Sequence, residues 1–234
     1  MMNVVPRLIG ACVVAALLTA CGSESDAPGS LPKMALGTVA DAFKSRRAGP
    51  PQKIVLSAEQ LAQINQPVLQ IHPESLGGTD FLQRVGSRRD SGLGVVDVWK
   101  SSDDAQIFLR NGVVVGSRGI GGDIISADAN VTIRALSGQA ERNGVRTYVI
   151  SDGDVTTTEY RFRCTVERVG PEDLTLFNQV FRTMHMREKC IGGPDGDKLL
   201  SNDYWVQSSD GFVRKSRQWI GPRIGYFEIV VVKR

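Results

Sequence analysis

Two histidines, four cysteines and three tryptophans are the side chains of this 234-residue chain whose chemistry bears most directly on what it does. His72 and His185 limit the catalytic chemistry available, because a histidine relay or a multi-histidine metal site needs partners that are hardly present. Ser, His and Asp all occur, but no Gly-x-Ser-x-Gly elbow does, and His185 sits between Met184 and Met186 in a regular segment rather than a loop. Gly119, Gly121 and Gly122 match a phosphate cradle in composition alone. A dinucleotide loop opens a helix after a parallel strand, whereas these glycines follow antiparallel strands. Asp152-Gly153-Asp154 and Asp195-Gly196-Asp197 offer carboxylate oxygens, yet neither continues to the glutamate that closes an EF-hand loop, so both read as turns. The sequence therefore calls for no catalytic residue, no metal and no cofactor. Trp99, Trp205 and Trp219 leave two roles open. A flat indole face can stack on the apolar face of a sugar ring, while a tryptophan inside an apolar run is commonly core.

The cysteines divide by position. Residues 8–20 form an apolar run preceded by Arg7, too short to span a hydrocarbon core that needs roughly 20 apolar residues, and therefore a signal segment over residues 1–20. Cys12 leaves with it. The segment ends Leu18-Thr19-Ala20-Cys21-Gly22, which looks like the bacterial lipobox, where small residues before a cysteine permit diacylglyceryl transfer to its thiol. Residues 21–33 follow as a polar tether with an end-to-end distance of roughly 15–20 Å, which would hang the body close to a membrane. The absence of an aspartate after Cys21 favours the outer membrane, by resemblance to bacterial sorting rules. Cys164 and Cys190 are then the two thiols left in an oxidising compartment, and one disulfide is expected, with two separate buried thiols as the alternative.

The elements that position these groups are mainly strands. Val95, Val96, Val98 and Trp99 read as a strand closed by Ser101-Ser102-Asp103-Asp104. Ile107, Phe108 and Leu109 return, and Asn111-Gly112 is the favoured pair for a type I′ hairpin into Val113, Val114 and Val115. The meander ends in a Gly-rich corner, Ser117-Arg118-Gly119-Ile120-Gly121-Gly122-Asp123. A shorter echo, Trp205, Ser208-Ser209-Asp210-Gly211, Phe212-Val213, Ser216-Arg217 and Trp219-Ile220-Gly221, suggests a pseudo-repeated β architecture. Residues 131–135 and 145–150 are further strand candidates. Tyr160, Phe162, Cys164 and Val166 alternate with charged residues, which directs Cys164 inward. Residues 174–190 fit either a helical stripe or, preferably, two strands turning at Asn178-Gln179, and residues 226–232 read as a strand buried on both faces. Short helices are expected only near the N-terminus, over 34–44 and after the capping-box pair Ser57 and Gln60. Breaks fall at Pro50-Pro51 and Gly77-Gly78, and Arg88-Arg89-Asp90-Ser91-Gly92 forms an exposed turn. The expectation is a mainly β body over residues 34–234, with antiparallel sheets in a barrel- or sandwich-like arrangement and short N-terminal helices.

Charge excludes one class of partner. With 28 basic and 25 acidic residues spread along the chain, the net charge of +3 carries no nucleic-acid footprint.

The lipobox at Cys21, Val98-Trp99 with Gly112 and Arg118-Gly119-Ile120-Gly121, the pair Cys164 and Cys190, Asn202-Asp203-Tyr204-Trp205 and Ser216-Arg217-Gln218-Trp219-Ile220-Gly221-Pro222 together resemble the YjbF/GfcB family. These are lipoproteins associated with group 4 capsule and exopolysaccharide operons. The resemblance implies a lipid-anchored outer-membrane protein with a β-rich body and no assigned catalytic activity, so it supplies no catalytic residue. It implies the membrane as partner through acylated Cys21, and polysaccharide or export-machinery proteins as further partners. The expected function is a non-enzymatic accessory role in export or assembly. Two other classes stay open: a periplasmic glycan-processing enzyme, which needs paired carboxylates in a cleft, and a carrier of an acyl chain or lipoprotein, which needs a large apolar cavity inside the β body.

Overall fold

The computed structural model describes residues 56–153 and 156–234. Cys12, Cys21, the signal segment, the tether, residues 34–44, Pro50-Pro51 and Asp154 lie outside them.

Twelve strands form one sheet of antiparallel neighbours in the order β5-β4-β3-β2-β1-β12-β11-β10-β9-β8-β7-β6. Among the described residues the chain runs through helix α1 (Ala58–Gln63), β1 (Val68–Pro73), β2 (Asp80–Arg88), β3 (Val96–Lys100), β4 (Gln106–Arg110) and β5 (Val113–Arg118). It continues through β6 (Ile124–Asp128), helix α2 (Asn130–Leu136), β7 (Asn143–Ser151), β8 (Thr157–Leu176), β9 (Gln179–Gly192), β10 (Lys198–Gln207), β11 (Val213–Gly221) and β12 (Gly225–Lys233). The last strand pairs with the first, Ile71 opposite Ile229. The two ends of the strand order are therefore β5 and β6, successive in the chain, and the result is a nearly closed barrel.

Side chains bridge the remaining seam. The Ile124 N–H donates to Ser117 Oγ at 2.9 Å, while Asp123 accepts from the N–H groups of Gly119 at 2.8 Å and Ile120 at 3.0 Å. The Gly-rich corner is thus the piece that turns the chain across the opening.

The expected meander is β3, β4 and β5. Asn111 and Gly112 both adopt positive φ, +49° and +84°, as a type I′ turn requires. At Gly112 a Cβ would come within 2.6 Å of the Val213 Cβ, so this turn packs directly against β11 and only glycine fits. Ser57 and Gln60 form the capping box of α1. Residues 174–190 are strand, and their hairpin turns on Phe177 and Asn178, one residue before the expected pair. In β12 Phe227, Ile229 and Val230 are buried while Tyr226 and Glu228 are half-buried, so the outer face is covered only in part.

Residues 131–135 belong to a helix, not a strand. Val131, Thr132 and Ile133 carry the β-branched side chains that favour a strand. Strand alternation would send Thr132 to the face opposite its neighbours, yet all three are buried. Tertiary burial overrides local propensity here. Trp99 faces the core, whereas Trp205, in the echo, lies between the inward-facing Tyr204 and Val206 and points outward.

Candidate functional site

Period-two alternation directs one residue from each strand into successive layers of the barrel interior. The cross-strand register aligns them across β8, β9 and β10. Cys164, Cys190 and Leu200 form one row, Val166, Glu188 and Asn202 the next, Arg168, Met186 and Tyr204 the next, and Met184 with Val206 the last.

The first row belongs to a large apolar cluster that holds Leu69, Ile71, Tyr148, Phe162, Trp219 and Phe227. Trp219 meets three rings edge-on, Tyr148 at 5.1 Å, Tyr160 at 5.5 Å and Phe162 at 5.7 Å between centroids. The expected disulfide is here: Cys164 and Cys190 are directly opposite on β8 and β9, with Cα atoms 4.1 Å apart. Glu188 lies close to both sulfurs, but a disulfide offers no thiolate, so the trio makes no cysteine metal site.

The second layer is ionic and fully buried. Arg146 Nη1 donates to Glu188 Oε2 at 2.5 Å, both side chains at 0% exposure. Asn202 Nδ2 at 2.7 Å and the Tyr204 hydroxyl at 3.3 Å donate to the same oxygen, and Thr132 of α2 donates to Oε1. Both carboxylate oxygens are therefore occupied by donors. Burial works against the charge of Arg146, but Glu188 beside it holds the guanidinium protonated well above its ordinary range. Burial pushes the hydroxyls of Tyr148 and Tyr204 up, so both stay neutral. The network extends across the barrel through Gln218, whose Oε1 accepts from the Val114 N–H at 2.8 Å and whose Nε2 donates to the Gly112 carbonyl at 2.9 Å. That clamp holds the β4–β5 turn against β11.

Beyond this layer a second apolar cluster, including Ile133, Leu136, Met186, Val206 and Val213, lines an open cavity of about 590 Å³. A smaller recess of about 180 Å³ shares Gly112, Phe212 and Val213 with it. Charged groups surround the mouth: Arg168, Asp97, Asp210 and Arg234. Arg234 donates to Asp210 at 2.6 Å and lies 3.8 Å above the Phe212 ring, and Arg110 grips Asp90 through two bonds of 2.6–2.7 Å on the neighbouring loop. Arg168 has no hydrogen-bond or ion-pair partner among the described residues.

The tryptophans are not brought together. Trp99 and Trp219 are 5% and 3% exposed and belong to the core, so neither offers a face to a glycan. Trp205 is half-buried on the outer surface. His185 stacks on its ring at 4.6 Å and 7°, and Lys215, on the opposite neighbouring strand, lies 5.0 Å from the ring centroid. Both flanks of the indole are thus engaged by the protein's own side chains. His185 is tied further to Asp203 through Nε2 at 2.7 Å, and Arg187 donates to the same carboxylate oxygen at 2.7 Å. The Glu188 network was missed in the sequence because its members lie on separate elements with no local spacing in common. The available signal was parity on β9: with Cys190 facing inward, Glu188 two residues earlier faces the same way.

Comparison with known proteins agrees with this architecture. A family model described as the group 4 capsule polysaccharide lipoprotein gfcB, YjbF, matches residues 36–232. The chain belongs to this family. Among solved structures it is similar to the hypothetical lipoprotein YmcC from Escherichia coli K12, at 18% identity and a TM-score of 0.65. The likeness covers 83% of this chain and 93% of that one, and shows a shared fold. A putative lipoprotein from Parabacteroides distasonis matches at 9% identity over 72% of this chain and 95% of that one, and its TM-score of 0.31 carries no argument. No curated protein matches the chain significantly.

Proposed function

We propose that this YjbF/GfcB family member is a lipid-anchored protein of the outer membrane, acylated at Cys21 with its body in the periplasm, and a non-enzymatic accessory in capsule or exopolysaccharide export or assembly. The family match over residues 36–232 supports the association with capsule. One structural observation favours binding over turnover: Glu188, the carboxylate set among polar groups at the barrel centre, is sealed from solvent and occupied by four donors. A general acid or base must reach the proton it moves, and this one reaches only its own network. The open cavity above it supports a binding role.

Deleting the gene should reduce surface or secreted polysaccharide, and no single replacement of an exposed Asp, Glu, His or Ser should reproduce that loss. Wild-type polysaccharide in the deletion strain would refute the export role. A stable point variant at one carboxylate with the full deletion phenotype would establish the enzyme instead. Cells fed a labelled fatty acid should label the wild type and not Cys21→Ser; label retained in the variant would refute the anchor.

A further inference from the structure

The cavity of about 590 Å³ is within the size of small-ligand sites, roughly 300–1,000 Å³. Its wall combines branched aliphatic residues, Ile133, Leu136, Val206 and Val213, with Met184 and Met186, whose unbranched thioethers adapt to an irregular guest. A purely apolar surface of this kind would fit many occupants, so the charged groups at its rim decide. Asp210 is paired with Arg234, and Asp97 accepts from Ser87 and lies 3.8 Å from Arg84. Arg168 continues the inward series Phe162, Cys164, Val166 and has no anionic partner among the described residues.

We propose that this mouth binds an anionic amphiphile, its single alkyl chain lying in the cavity along Met184 and Met186 and its phosphate or carboxylate headgroup meeting Arg168. A guanidinium forms paired hydrogen bonds with either headgroup, and burial of the chain supplies the affinity that an exposed ion pair lacks. The inference deepens the binding role proposed above, but rests on this cavity, so an unchanged deletion strain would refute export while leaving the ligand to be measured directly.

The full chain in phosphatidylcholine nanodiscs, with ¹³C-methyl methionine, reports on the site through Met184 and Met186. Dodecyl phosphate and dodecanoate should each shift the Met184 and Met186 signals saturably, and the tighter of the two identifies the headgroup. Dodecanol and inorganic phosphate should each bind at least tenfold more weakly. Arg168→Glu should weaken dodecyl phosphate at least tenfold without lowering Tm, because the Arg168 side chain is exposed and has no partner among the described residues. Met184→Trp should obstruct the part of the cavity beside Met186 and weaken dodecyl phosphate binding. Absence of a saturable shift would overturn the proposal, as would dodecanol binding as well as dodecyl phosphate. Inorganic phosphate binding as well as dodecyl phosphate, or unchanged binding in folded Arg168→Glu, would overturn it too.

Discussion

The two ends of the barrel interior are built by the same strands and come out differently. On β9 the inward residues run Met184, Met186, Glu188, Cys190, and on β10 they run Val206, Tyr204, Asn202, Leu200. At the Cys190 and Leu200 end, aromatic rings from β7 and β8 meet around Trp219 of β11 and fill the space. At the Met184 and Val206 end the side chains are aliphatic and slender, and the interior opens into a cavity. Backbone geometry is shared by both ends, so the difference is one of side-chain volume. The ionic layer of Arg146, Glu188 and Asn202 lies between the two ends.

The largest effect should come from emptying the filled end. Trp219→Ala should cost about 3–5 kcal/mol in urea unfolding, because three rings lose their common partner and the void cannot collapse inside a sheet held on all sides. A cost below about 1 kcal/mol would mean that this end is not packed as described.

Breaking the partition comes next. Glu188→Ala should cost about 3–5 kcal/mol by leaving Arg146 buried without its anion, whereas the double change Arg146→Met with Glu188→Leu should recover most of that loss. A double variant no more stable than the single one would show that the remaining hydroxyl and amide groups need the charges.

The disulfide is expected to contribute somewhat less. Its 26-residue separation gives about 3.5 kcal/mol in the chain-entropy model, so Cys164→Ala should lower Tm and leave the strand pairing intact. Both cysteines found free in protein isolated from the envelope would count against the bond.

The smallest effect belongs to the open end and depends on pH. Hydrogen bonding to Arg110 and to the Gly92 N–H lowers the Asp90 pKa to about 2, from an ordinary 3.8. A depressed carboxylate stabilises the folded state above its unfolded value, so this clamp is present above pH 3.8 and is lost as pH falls through about 2. The Gly92 amide should exchange faster across that window while amides at the filled end do not. Equal acceleration at both ends would indicate global unfolding rather than release of one loop.

The strands were legible in the sequence where one face is wet and the other is not. The alternation through Tyr160 to Val166 gave both β8 and the direction of Cys164, and Asn111-Gly112 gave a turn whose sterics are local. Residues 131–135 misled because their propensity is local while their burial depends on two distant clusters. The tryptophans could not be separated by sequence, since Trp99 and Trp205 both stand in apolar runs yet face opposite sides of the sheet. The cavity was illegible for a related reason: a void is a property of several strands together, and no single segment records it.

The pairing of β1 with β12 has a kinetic consequence. Every other neighbouring pair in the sheet joins strands that follow one another in the chain, so the two meanders can zip progressively as hairpins. Closure must wait for Val68–Pro73 to meet Gly225–Lys233, a contact of very high sequence separation with a correspondingly slow search. Until then β1 and β12 are bare edges, and an interrupted chain exposes Leu69 and Ile71 to any other strand it encounters.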